Sequence, residues 1–349
     1  MHGMATKPVC LALQGGGSHG AFTWGVLDKL LEDGRIAVSA ISGTSAGAMN
    51  AVVMAEGLFE GGREGAREFL HRFWKKTAEA ARLSPIQRSP LNVLMGDWSL
   101  NNSFGYHVMD AMSRVISPYQ SNPLNLNPLS DLLAEVVDFE RVRRCHDVQL
   151  FISATNVETG RVKVFRREEL TLEMVLASAC LPYLYQAVEI DGVPYWDGGY
   201  MGNPSMFPFY EVKDTRDIVL IQINPMLRAG TPTTAHEITD RINEITFNAS
   251  LQKDLRAIEF VRRLIDAGRL DPAEYRYLDV HVIENQEVLN PLGASSKLNA
   301  EWAFLTWLRD IGRMTAEAWL DQHFDDLGRC STVDIRGMFQ GGHRVKQPD

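Results

Sequence analysis

Cysteine is scarce in this chain, and its four copies, Cys10, Cys145, Cys180 and Cys330, sit at spacings that fit neither a zinc site nor a disulfide framework. Cys10 and Cys180 lie in apolar runs, so reduced structural thiols are expected. No apolar run approaches the roughly 20 residues of a spanning helix, and Met1 to Pro8 has no apolar core of the kind a signal peptide needs. The expectation is a cytoplasmic protein, with peripheral contact at a membrane surface left open. Basic residues are outnumbered, 35 Lys and Arg against 44 Asp and Glu, for a net charge of -9. With no basic stripe, nucleic acid is not an expected partner and electrostatic docking on an anionic membrane is weakened. Any lipid contact would be local and apolar. No calcium loop or other metal motif is present, so no cofactor is expected. Repeats and low-complexity tracts are also missing, and nothing sets the oligomeric state.

Glycine is what the chain has in quantity, 28 residues, and two glycine-rich turns near its start organise the rest. Gly15-Gly16-Gly17-Ser18-His19-Gly20 follows the apolar run Val9 to Leu13; Gly43-Thr44-Ser45-Ala46-Gly47 follows Ile36 to Ile41. Each run is short and apolar with a helical pattern behind it, which reads twice as buried strand, tight turn and helix. A parallel sheet built this way gathers both turns at the carboxyl ends of its strands.

The second turn has the form G-x-S-x-G, a nucleophile elbow, which holds a serine on a strand-to-helix corner with its hydroxyl exposed. Gly43, Ala46, Gly47 and Ala48 satisfy the demand for small residues where helix and strand converge. Ser45 would stand at the amino end of a helix from Ala46 to Glu56, a setting that favours a nearby oxyanion. In the first turn, Gly15, Gly16 and Gly17 let backbone N–H groups converge on a developing negative oxygen. Gly15, Gly17 and Gly20 also fit a dinucleotide-binding G-x-G-x-x-G. That reading needs an acid at the end of the second strand, and Ser42-Gly43-Thr44-Ser45 occupies the place instead.

A base for Ser45 has two sources. Of the histidines after the elbow, His281 is the best placed, alternating with apolar neighbours in Leu278 to Ile283. The stronger choice is Asp197, at the end of a short apolar strand and followed by Gly198 and Gly199, which allow another backbone or a ligand to approach. Its aromatic surroundings would raise the carboxyl pKa and make it a stronger base.

The order and spacing of these motifs resemble the patatin-like phospholipases: a G-G-G-x-x-G loop, a G-x-S-x-G elbow 30 residues later (45 minus 15), and a D-G-G 152 beyond that (197 minus 45). Ala177-Ser178-Ala179-Cys180-Leu181-Pro182 is similar to the family's A-S-x-A-x-P segment. The resemblance covers residues 9–210. It implies a Ser-Asp dyad without histidine, Ser45 as nucleophile, Asp197 as base, and an oxyanion hole from the glycine loop, chiefly the N–H groups of Gly16 and Gly17. The implied substrates are phospholipids, lysophospholipids or neutral acyl esters, hydrolysed without a metal. One position departs: where the family often has Lys or Arg before Gly20, His19 stands here, so a charge beside the oxyanion would depend on pH, or else His19 is a helix-start residue with no such role. A Ser-His-Asp esterase using His281 and a non-catalytic acyl-lipid-binding regulatory protein stay open as alternatives.

The expected architecture is a three-layer α/β/α fold with a mainly parallel sheet over residues 9–210, followed by a mostly helical extension, 211–349, packed on it. Phe22, Val26, Leu27, Leu30 and Leu31 give a helix that ends at Gly34; residues 61–80 read as another. Residues 83–130, broken by Pro85, Pro90, Pro118, Pro123 and Pro128, carry more apolar surface than a loop needs. They cover the site as a lid or acyl-chain wall, or bury themselves against the sheet. A hairpin is expected at Val148 to Ala154 and Val162 to Phe165, and a further strand at Ile218 to Ile223. Asn203 either orients Asp197 or makes its turn. Helical stripes run from Ile238 to Leu264 and from Trp302 to Trp319. Between them Ser295-Ser296-Lys297 is a polar turn that can approach the site, and 341–349 reads as a frayed tail.

Overall fold

The computed structural model describes residues 6–82 and 84–340. The readings made on residues 1–5 and 341–349, a missing leader and a frayed tail, lie outside these. Eight strands form one mixed sheet: β1 (Lys7–Leu13), β2 (Ile36–Gly43), β3 (Gln149–Asn156), β4 (Val162–Arg166), β5 (Val188–Ile190), β6 (Val193–Asp197), β7 (Asp217–Ile221) and β8 (Asp279–Ile283). The pairings β1–β2, β2–β3, β1–β7 and β7–β8 are parallel. Those of β3 with β4, β3 with β6 and β5 with β6 are antiparallel.

Alternation along β1 explains the three layers. Val9, Leu11 and Leu13 join one apolar core, while Cys10 and Ala12 join another on the opposite face. A strand buried on both faces must be apolar throughout, and Val9 to Leu13 is. The first core takes helix α1 (Gly20–Asp33), helix α2 (Ala46–Ala81) and the Trp302–His323 helix. The second takes Leu251, Leu255 and Ile258 of the Ala235–Asp266 helix. Helix α1 stops as expected at Gly34, whose left-handed φ of 77° lets its N–H reach Leu30 O at 3.2 Å. Helix α2 merges the two expected helices across a break at Gly61 and Gly62.

Residues after 210 supply β7 and β8, and β7 pairs directly with β1, so the sheet runs across the 210/211 boundary. Residues 84–130 bury themselves only in part: Leu100 and Tyr106 are buried and Trp98 packs on the core. They form short helices at Pro90–Leu94, Phe104–Ser113 and Pro118–Ser121, yet Leu94, Phe104 and Val115 are 84–85% exposed.

The register on β3 is what assembles the two key strand ends. Ile152 pairs with Gly43 of β2 and with Phe165 of β4. Ala154 pairs with Asp197 of β6 and with Lys163 of β4. Because β4 occupies one edge of β3 throughout, β2 and β6 must share the other. They run toward each other along it, and their last residues, Gly43 and Asp197, end two β3 positions apart.

Candidate active site

Ser45 follows the end of β2 at φ 54° and ψ -121°, and α2 begins at the next residue. A non-glycine residue at such angles costs on the order of 1–3 kcal/mol and persists only where its surroundings enforce it. They do so here. The Ser45 N–H donates to Ser178 Oγ at 2.9 Å, which gives the Ala177–Pro182 segment a structural purpose. A Cβ on Gly47 would collide with the Leu13 carbonyl, and one on Gly43 would lie 2.6 Å from Gly47 O. On Gly20, a Cβ would come within 2.7 Å of Ala46 Cβ. Strand, elbow and helix can meet this closely only with those side chains missing.

Asp197 is fully buried. Its backbone is fixed on both sides, the N–H donating to Cys180 O at 2.8 Å and the carbonyl accepting from Thr155 Oγ1 at 2.8 Å. Oδ1 accepts the Gly199 N–H at 2.7 Å. A Cβ on Gly198 would strike Ser153 O, and one on Gly199 would strike the Phe247 ring, so both glycines are needed for β6 to turn away here. Burial pushes the carboxyl up to about 7, against the opposing pull of the Gly199 N–H, the Ser45 side chain and the Lys297 charge. The Ser45 side chain is thus close enough to act on the carboxyl, while Oδ2 lacks a hydrogen bond of good geometry. The pair is adjacent and loosely coupled.

The glycine loop lies against this pair, since a Cβ on Gly15 would sit 2.7 Å from Ser45 Cβ. Its first N–H is already engaged: Gly15 donates to Asn203 Oδ1 at 2.7 Å, which corrects the expectation that all three glycines offer donors. Among the described residues the N–H groups of Gly16 and Gly17 donate to no protein acceptor. Gly17 has φ 57°, and a Cβ there would run into Lys297 O.

Two further expectations change. His19 is buried, its Nε2 lies 2.8 Å from Ser296 Oγ, and that hydroxyl donates to Gly293 O at 2.7 Å. The single hydroxyl proton being committed, Nε2 is the donor. Burial, with Lys297 and Arg228 nearby, lowers the imidazole pKa well below 6.5, so His19 is neutral and contributes no pH-dependent charge. His281 is not brought to Ser45. It lies in β8, 3.0 Å from Asp217 Oδ1 at the amino end of β7 and 3.2 Å from Thr332 Oγ1. Asp217 opens its strand, so this pair faces the end of the sheet opposite the two turns.

Sequence reasoning missed the polar frame behind the loop. Gln14 Oε1 accepts the N–H groups of Ile223 and Asn224, both at 2.9 Å. Asn224 Nδ2 holds Gly15 O at 2.6 Å, and Lys297 Nζ donates to Asn224 Oδ1 at 2.8 Å. Asn203 braces Gly15 rather than Asp197. The available signals were the Asn203-Pro204 and Asn224-Pro225 turns that follow strands.

The segment from Ser84 to Ser121 and the 183–185 stretch enclose a groove of 910 Å³ lined by Phe104, Val108, Met112, Tyr183, Leu184 and Leu298 among others. Among the described residues no helix is long and apolar enough to cross a membrane.

A comparison with curated proteins returns no match. Among solved structures, VipD from Legionella pneumophila is similar at 17% identity and a TM-score of 0.36, over 88% of this chain and 68% of that one. The type III effector ExoU, from Pseudomonas aeruginosa, is similar at 14% identity and a TM-score of 0.35, over 91% of this chain and 54% of its own. Likeness this low speaks to neither activity nor substrate. The patatin-like phospholipase family model matches residues 11–211, a stretch that holds the glycine loop, the Ser45 elbow and the Asp197 strand end. The chain belongs to the patatin-like phospholipase family.

Proposed function

We propose that this protein is a lipid acyl hydrolase of the phospholipase A, lysophospholipase or esterase type, acting through a Ser45–Asp197 dyad. The observation that carries the reading is the strained serine on its elbow beside a buried carboxyl with no histidine between them. Ionised Asp197 takes the Ser45 proton as Oγ bonds to the ester carbonyl carbon. The carbonyl electron pair moves onto oxygen, which the free N–H groups of Gly16 and Gly17 and the amino end of α2 are suited to receive. As the oxyanion collapses the ester C–O bond breaks, and the alcohol leaves with the proton held by Asp197. A water, deprotonated by the same carboxylate, then attacks the acyl-serine; the acyl C–Oγ bond breaks, the proton passes from Asp197 to Ser45 Oγ, and the fatty acid is released.

The apolar groove favours long acyl chains, and the 83–130 segment that walls it is the proposed lid and the point of transient contact with a membrane surface. Substrates are accordingly phospholipid or other acyl esters. The catalytic unit is 9–210, and the residues that follow complete its sheet and pack a helix on each face.

Labelling by a fluorophosphonate tests the dyad. Native protein should label, Ser45→Ala should not, and Asp197→Ala should label at least 100-fold more slowly, about the loss typical of removing one catalytic group. Acyl-ligand binding by a folded native protein that never labels would instead support a regulatory binding role.

A further inference from the structure

His19 stands where a cation is often found in the family, and it is neutral. A different cation lies against the same loop. The 294–298 turn packs on it so closely that the Lys297 carbonyl excludes any side chain at Gly17. Its ammonium reaches past the loop to Asn224 Oδ1, and Asn224 in turn holds Gly15 O. By exposed area Lys297 is partly buried; its ammonium is surrounded closely enough that burial lowers its pKa from 10.5. Among the described residues it forms no ion pair with a carboxylate at contact distance. Glu244 is held by Arg228 and Arg241. Glu244, Asp240 and Asp197 act on the ammonium only from beyond contact distance, and its direct partner is the neutral Asn224 side chain.

We propose that Lys297 is a positioning residue of the acyl-transfer reaction: through Asn224 it pins the glycine loop, and it places an ammonium beside that loop, where His19 supplies no charge. This rests on the Ser45–Asp197 reading. Two consequences follow from the geometry. Loss of the pin misplaces the Gly16 and Gly17 donors, which lowers kcat with little effect on KM because the donors act on charge that develops only in the transition state. Loss of the charge also reaches Asp197. The groups bearing on that carboxyl are Ser45, the Gly199 N–H, Lys297, and the neutral Tyr200 and Cys180 side chains. Those bearing on Lys297 are Glu244, Asp240, Arg228 and Asp197. Lys297 holds the Asp197 pKa down, so removing it moves the ionisation of the base to higher pH.

The test is steady-state hydrolysis of p-nitrophenyl butyrate by the full chain from pH 5 to 9, comparing native protein with Lys297→Met, Lys297→Arg, Asn224→Ala and Ser45→Ala. For Lys297→Met we expect kcat to fall about 10- to 100-fold, KM to stay within about twofold, and the acid limb of the profile to rise by about one pH unit. Lys297→Arg should recover most of kcat and return the limb. Asn224→Ala should lower kcat while leaving the limb in place, and it carries the test of the pin should Lys297→Met not fold. The proposal is overturned if Lys297→Met keeps kcat and the acid limb within error while Ser45→Ala is inactive, or if only its melting temperature changes. Activity that survives Ser45→Ala sinks the dyad reading itself, and this proposal with it.

Discussion

Gly15 donates its N–H to Asn203 Oδ1 at 2.7 Å, which ties the loop after β1 to the loop after β6. The bond is buried, so truncating its acceptor strands a buried donor at a cost of about 1–3 kcal/mol. It also frees the one glycine that lies against Ser45. Asn203→Ala should therefore lower the melting temperature and slow fluorophosphonate labelling by about tenfold. A variant that melts lower but labels at the native rate would show that the loop holds its shape without the brace.

Ser45 sets stability against activity. Its φ of 54° is strained for any residue with a Cβ. Ser45→Ala and Ser45→Gly both remove the hydroxyl, and both should fail to label. They differ in strain: alanine keeps it, while glycine relieves about 1–3 kcal/mol and loses roughly 0.5–1 kcal/mol through its freer unfolded chain. Urea unfolding should find Ser45→Gly more stable than Ser45→Ala by about 1 kcal/mol. Equal stabilities would mean that the elbow is not strained.

Local motifs were legible in the sequence because each is dictated by contacts close in the chain. The apolar run Val9 to Leu13, the small residues around Ser45 and the stop at Gly34 all follow from strand, elbow and helix-end sterics, and each element stands where expected. The meeting of Gly43 and Asp197 along one edge of β3 was not legible, since it depends on register between strands far apart in sequence. Lys297 was visible only as one lysine in a polar turn. Its bond to Asn224 joins two loops whose proximity is created by the β7 pairing with β8. The role of His19 was left open for a related reason: its charge depends on burial and on the Ser296 hydroxyl, and neither has a local signature.

His281 is bound into a buried cluster away from Ser45. Its two ring nitrogens face Asp217 and Thr332, and its ring stands edge-on to Trp319 at 6.1 Å. His281→Ala leaves the Asp217 carboxylate with one fewer partner in a buried place and opens a cavity, for a loss of about 2–4 kcal/mol. Labelling per folded molecule should stay within about twofold of native, because among the described residues no hydrogen bond joins this cluster to the Ser45 turn. A folded variant that does not label would restore the histidine-based mechanism.

Asp197 links pH to both rate and stability. Below about pH 7 the buried carboxyl is protonated and cannot accept the Ser45 proton, so turnover should rise through that pH and level above it. The stability effect has the opposite direction. The carboxyl pKa is about 7 in the fold and 3.8 by its ordinary value; between these, the native state holds a proton that the unfolded chain has released. Stability then falls as pH rises through the window and stops falling above about 7. Asp197→Asn removes the effect while keeping an acceptor for the Gly199 N–H. It should be inactive at every pH, and its stability advantage over native protein should widen from pH 5 to pH 8 by at most about 2–3 kcal/mol. An advantage that stays constant across that range would place the ionisation of Asp197 outside it and remove that carboxyl as the source of the acid limb of the rate.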